Sequence, residues 1–293
     1  MDVAPSVANP KSSRRKFFRR VLQGGAALAG VAGLGAGYGF WEASQIRIRR
    51  ETILLPRLPD RFAGKTIAVL ADFHHGPFVG LDFIRRAVAI AQDLAADVYA
   101  LVGDFANKGK DASEQLPPCV AELSKLQAPL GVFAVPGNHD MPQGGRVYRD
   151  AIGKTSLTDL TNRSVRLSIG AESLWLAGVD DLWWGKPALA AALDGVPSGA
   201  AIVLLAHNPD YAEVAPDSRV GLILSGHTHG GQVHLPGVGS AWIPSRYGDK
   251  YRGGLVRGPA SSVFVSRGLG VTGMPIRINC PPEINLLTLA PGA

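Results

Sequence analysis

Five of the seven histidines in this 293-residue chain stand in four short clusters with carboxylate, amide or glycine neighbours. The clusters are Asp72-Phe73-His74, Gly137-Asn138-His139-Asp140, Ala206-His207-Asn208 and Gly226-His227-Thr228-His229, and Gly103-Asp104 adds a fifth polar point. Imidazole nitrogen with carboxylate and amide oxygen, and no thiolate, is a donor set for borderline-hard divalent ions such as Mn, Fe or Zn. In Asp72-x-His74 and His227-x-His229, the two-residue step of an extended backbone would aim both side chains to one side. The glycines at 103, 137, 226, 230 and 231 suit tight turns or close approach to an anion. Taken singly, a strand-end Asp or Asn is ordinarily a turn or cap residue, so the case rests on the combination.

What must position these residues is a sheet. Thr66–Ala71, Val98–Val102, Val132–Val135, Ile202–Ala206 and Leu222–Leu224 read as fully buried strands of a largely parallel sheet, and each runs into Asp72, Asp104, Asn138, His207 or His227. Ligand crevices of open α/β sheets lie at the carboxyl ends of the strands, so the five side chains should converge. Leu81–Leu94, Ser113–Leu126, Pro187–Leu193 and Pro209–Ala215 have the length and spacing of crossover helices. Arg163–Ile169, Ser173–Ala177, Gln232–Leu235, Leu255–Val256, Ser262–Val265 and Asn285–Leu289 suggest a second, mostly antiparallel layer. The expected fold is a four-layer α/β/β/α sandwich with two mixed sheets over residues 45–293, following an N-terminal segment 1–44.

The motifs Asp-x-His, Gly-Asp, Gly-Asn-His-Asp, a lone His and Gly-His-Thr-His occur here in the order of the calcineurin-like metallophosphoesterases, which the chain resembles. The run 226–232 and the tail Arg277-Ile278-Asn279-Cys280-Pro281-Pro282-Glu283-Ile284 look like the exported bacterial branch of that family. The resemblance implies that Asp72, His74 and His229 hold a first metal, that Asn138, His207 and His227 hold a second, and that Asp104 bridges them. Phe73 and His75 in the first motif, and Phe105-Ala106-Asn107 after Asp104, depart from the usual residues without removing a ligand. Two cations about 3.5–4 Å apart would bind a phosphate and bring the pKa of a water toward roughly 7, giving hydroxide for in-line attack. His139 is then the candidate acid or oxyanion stabiliser, with Asp140 orienting it. His75 and His234 fall outside the ligand set and read as rim or substrate-side residues.

Composition narrows the partners. The net charge of +6 lies almost wholly in residues 1–51, which carry nine Lys/Arg against three acids; the remaining 242 residues carry 21 of each sign. That balance argues against a nuclease or any nucleic-acid partner. Ser13-Arg14-Arg15-Lys16-Phe17-Phe18-Arg19, followed by the apolar run Val21 to Trp41, looks like a twin-arginine export signal or an uncleaved anchor. The expected location is the extracytoplasmic face of the membrane, reached through the twin-arginine translocation machinery, with a phosphorylated small-molecule or lipid-linked substrate. Some relatives cleave UDP-2,3-diacylglucosamine, which is made on the cytoplasmic side, so topology weighs against that substrate. A non-catalytic metal- or phosphate-binding module is the other alternative.

Cys119 and Cys280 lack metal-site spacing and read as buried thiols, a bridge staying open. Trp183-Trp184 reads by default as core and alternatively as a platform at the membrane interface or for an acyl or sugar group. The stretch 240–254, with Trp242, Arg246, Tyr247, Lys250, Tyr251 and Arg252, reads equally as a solvated loop or as positive charge for a substrate.

Overall fold

A computed structural model describes residues 33–292 apart from 34, 108–111 and 241. The twin-arginine motif and most of the apolar run lie outside the described residues, among which no helix is long and apolar enough to cross a membrane. A helix over residues 35–42 (α1) leads into β1 (Arg47–Pro56), β2 (Thr66–Leu70), α2 (Leu81–Asp93), β3 (Val98–Val102), α3 (Ala112–Leu123), β4 (Val132–Val135), α4 (Arg146–Ile152) and β5 (Thr158–Asp159). The chain continues through β6 (Arg163–Ile169), β7 (Glu172–Gly178), α5 (Leu189–Ala192), β8 (Ala201–Leu205), α6 (Tyr211–Val214) and β9 (Leu222–Ser225). It ends with a small hairpin, β10 (His234–Leu235) and β11 (Gly239–Ser240), then β12 (Gly254–Arg257), β13 (Ser262–Val265) and β14 (Glu283–Gly292).

Two six-stranded sheets result, ordered β1-β14-β2-β3-β4-β5 and β12-β13-β9-β8-β7-β6. Both are mixed: β2, β3, β4 and β5 run parallel while β14 opposes β2, and β7, β8, β9 and β13 run parallel while β6 and β12 oppose their neighbours. Three apolar layers hold them. One joins the first sheet to α2, α3 and α4, one fills the space between the sheets, and one joins the second sheet to α5 and α6. In α2 the apolar residues Ile84, Ala87, Val88 and Ala91 recur at helical spacing and are buried on that sheet, and Asp82 in the first turn complements the helix dipole.

The four-layer sandwich is therefore as expected, but the strands are shared out differently. The five strands that carry the candidate donors do not form one sheet: β2, β3 and β4 belong to the first and β8 and β9 to the second. Each sheet is covered by the other sheet on one face and by helices on the other, so central strands of both read as continuous apolar runs. Within 232–235 only His234 and Leu235 form a strand, which belongs to the small hairpin outside both sheets. The helices expected at 187–193 and 209–215 are single turns, and β1 and α4 were not anticipated, because their charged residues mask the apolar pattern. Both cysteines are free and buried.

Candidate metal centre

The carboxyl ends of β2, β3, β4, β8 and β9 meet at one edge of the stacked sheets and bring Asp72, Asp104, Asn138, His207 and His227 together, all buried. The backbone ladder continues into the loops. Asp72 N donates to Gly103 O and His74 N to Asp104 O, both at 3.0 Å, while Gly226 N donates to His207 O at 3.0 Å. The two sheets are tied across the site by His227 N, which donates to Asp72 Oδ1 at 2.9 Å. The glycines are required where these loops touch: a Cβ on Gly226 would stand 2.5 Å from Asp72 Oδ2, and one on Gly103 2.7 Å from His207 Nδ1.

Three overlapping groups offer metal-ligand atoms within 4.8 Å of one another: Asp72, His74 and His229; His74, Asp104 and His139; Asp104, His207 and His227. Asp104 is common to two of them, its Oδ2 lying 3.5 Å from His74 Nε2 and 3.3 Å from His207 Nε2. His229 Nε2 lies 3.6 Å from Asp72 Oδ1 and 2.9 Å from His74 Nε2. His207 Nδ1 is 2.7 Å from Val102 O, and donating to that carbonyl would leave Nε2 to face the site, as ligating histidines commonly do. Asn138 Oδ1 and His227 Nε2 are buried acceptor-type atoms with no hydrogen-bond partner. Orphan polar atoms converging on one volume, with a nitrogen and oxygen donor set, fit bound divalent cations.

The local backbone differs from the extended step expected from the Asp-x-His and His-x-His spacing. Asp72, His74, Asp104, His227 and His229 all have left-handed φ, between 48° and 71°. A non-glycine residue there costs on the order of 1 kcal/mol or more and persists where surrounding contacts over-determine it. The alternating left-handed turns, not strand periodicity, aim these side chains inward.

Electrostatics point the same way. Burial pushes Asp72 up to about 7, aided by the charge of Asp104. Burial alone would raise Asp104 too, but His207 and His139 beside it hold its carboxyl well below the usual range. Burial works against a charged His207, yet Asp104 and Asp72 raise it to about 10, whereas burial holds His74 and His227 down to about 3. Crowded buried carboxylates with mainly neutral imidazoles call for added positive charge.

Residues 65–231 match the calcineurin-like phosphoesterase family. The chain belongs to that family. It is 32% identical over 284 residues to the uncharacterized metallophosphoesterase YkuE of Bacillus subtilis, covering 95% of this chain and 98% of that one. It is also 32% identical over 287 residues to the phosphodiesterase YaeI of Escherichia coli, covering 94% and 99%. Among solved structures, a dimetal phosphatase from Danio rerio aligns with a TM-score of 0.44 at 12% identity over 73% of this chain and 90% of that chain. This metallophosphoesterase is thus a hydrolase of phosphoric esters, and its family uses divalent metals.

Around the centre, Asp140, Trp183 and Trp184 stand differently from the sequence expectation. Asp140, expected to orient His139, has both oxygens engaged by backbone: Oδ2 accepts from Asp104 N and Gly137 N, Oδ1 from Phe105 N. His139 is half-buried with its ring 4.6 Å from that of His74, and its backbone N donates to Asp104 Oδ1 at 2.8 Å. Trp183 and Trp184 are exposed, not core, and the Trp183 ring meets His227 edge-on at 4.3 Å. Their amides are held by Asp181, a buried carboxylate the motifs did not single out, raised to about 6 by burial. Arg277 is fully buried; it donates to Gly270 O and Cys280 O and comes within 3.4 Å of His229 Nδ1. Only its place in the Arg-Ile-Asn-Cys tail hinted at it. His75 and His234 lie half-buried outside the cluster, on Gln115 O and Ser240 Oγ. In the 240–254 stretch Tyr251 is buried on Glu213, while Trp242 is exposed.

Proposed function

We propose that this metallophosphoesterase hydrolyses a phosphodiester, phosphomonoester or pyrophosphate bond with two divalent cations, on a substrate that is lipid-linked and met at the extracytoplasmic face of a membrane. The observation that carries the hydrolytic part is the position of Asp104 Oδ2 between the His74 and His207 Nε2 atoms, suited to a ligand shared by two ions. Asp72, His74 and His229 would hold one ion, and Asn138, His207 and His227 the other. Bound there, such ions supply Lewis-acid polarisation of the phosphoryl group and an acidified water.

The chain's own residues do the rest. The Asp104 side chain is oriented by His139 N, and Val102 O orients the His207 ring. His139, flanking His74 at the half-buried edge, is suited to stabilise the phosphoryl oxygens or to give a proton to the leaving oxygen. A non-catalytic metal-binding module would have no use for that ring. The membrane part draws support from the apolar run Val21 to Trp41 and from exposed Phe40 and Trp41 where it ends.

The test is turnover of bis(p-nitrophenyl) phosphate by metal-depleted protein given Mn, Fe or Zn, with metal content counted. Near two ions per chain with activity is the expected result. Asp104→Ala should lose both ions and all turnover. Full activity with Asp104 replaced would end the proposal.

A further inference from the structure

We propose that the apolar pocket beside His229 binds the hydrocarbon part of the substrate's ester, which deepens the hydrolytic reading above and rests on it. The pocket is about 290 Å³, and Val233, Trp242, Pro244, Thr272 and Met274 line it together with His229. Among the described residues that line it there is no Lys, Arg, Asp or Glu. Its one amide side chain is engaged in building the wall: Gln232 Nε2 donates to Thr272 O and Met274 O, and Gln232 Oε1 accepts from Thr272 N. An occupant therefore finds contact area and few hydrogen-bonding partners, which selects alkyl or acyl groups over sugars or charged headgroups.

His229 ties the pocket to the chemistry. The same side chain lines the pocket and belongs to the ligand group with Asp72 and His74. A group seated there is therefore attached close to the phosphorus. At about 290 Å³ the space is at the small end of ligand sites, enough for a stretch of chain next to the phosphate, not a whole lipid. Beyond it the apolar surface continues. Segment 269–275 also walls a second groove with Phe40, Phe78 and Phe83, where α1 ends. Trp242 and Met274, both more than half exposed, form the rim. An amphiphile reaching the centre would cross apolar surface on this side.

The full chain in lipid nanodiscs with Mn is assayed on p-nitrophenyl phosphodiesters whose second alcohol is methyl, butyl or octyl. Calorimetry follows binding of methyl-, butyl- and octylphosphonate. Filling the pocket should raise kcat/KM by up to roughly fourfold per methylene until the space is full, the equivalent of taking a CH₂ group out of water. Phosphonate affinity should climb in parallel, with a heat-capacity change that grows more negative along the series. Met274→Asp should flatten both slopes and Met274→Leu should keep them, which separates the pocket from partition into the bilayer. An active enzyme with flat slopes, or slopes untouched by Met274→Asp, overturns the pocket assignment. Intact phosphonate slopes without turnover of any ester would support the pocket and overturn the hydrolytic reading.

Discussion

Asp140 Oδ2 accepts the backbone N–H of Asp104 at 2.7 Å, and the same oxygen takes Gly137 N at 2.9 Å. One buried carboxylate thus fastens the loop after β3 to the loop after β4, so that Asp104 and Asn138 face a common volume. Replacing it with Ala leaves buried amides unsatisfied. Each costs roughly 1–3 kcal/mol, so Asp140→Ala should lose at least about 2 kcal/mol in denaturant unfolding and also lose bound metal. Unchanged stability would remove Asp140 from this role.

His139 separates two functions in one residue. Its backbone amide supports Asp104, and any residue except proline keeps that bond, whereas the ring faces the half-buried edge. His139→Ala should therefore keep the metal content while lowering kcat about 10²- to 10⁴-fold, the range for a general acid. Metal loss on this change would show the ring to be a ligand.

Removing the metals should destabilise the fold, because burial crowds Asp72, Asp104 and Asp140 together and the ions bind only the native state. Chelator should lower the melting temperature by several degrees, and Mn should restore it. His207, raised to about 10 by Asp104 and Asp72 against the effect of burial, must lose a proton to ligate, so the restoration should be larger at pH 8 than at pH 6. Equal melting temperatures with and without chelator would speak against a metal-supported native state.

Asp97 provides an acid-sensitive link far from the centre. Burial works to raise its carboxyl, but hydrogen bonds from Lys65 Nζ and from Thr66 N and Oγ1 hold it below the ordinary value. A depressed folded pKa gives stability that is complete above the unfolded pKa, near 3.9, and lost as pH falls through the folded one. In chelated protein, Asp97→Asn should cost up to about 1 kcal/mol at pH 6 and progressively less toward pH 3. A cost independent of pH would contradict the assignment.

Helix α1 is joined to the site. Gly39 O accepts Arg277 N at 3.0 Å, and the buried Glu42 Oε2 accepts Cys280 N at 3.1 Å. Arg277 in turn reaches His229 Nδ1, so residues 45–293 should melt lower than residues 35–293 and bind metal more weakly. The loss should be on the order of 1–3 kcal/mol. Identical melting curves for the two lengths would show α1 to be an ornament.

The types of the candidate donors, their order and the strand ends that carry them were legible in the chain itself. Five apolar runs closing on Asp72, Asp104, Asn138, His207 and His227 record local chemistry, and a run of buried residues looks the same wherever it is packed. For that reason the partition of those runs between two sheets was not legible: a strand covered on both faces carries no mark of which neighbours cover it. The left-handed turns at Asp72, His74, Asp104, His227 and His229 were hidden too, since a spacing of two residues suits an extended strand as well as a kinked loop. Asp140 and Arg277 found their roles only through partners 36 and 48 residues away, respectively Asp104 and His229. Donor identity is a property of single side chains and survives in sequence. Which backbone amide a buried charge meets is settled only when distant loops are packed together.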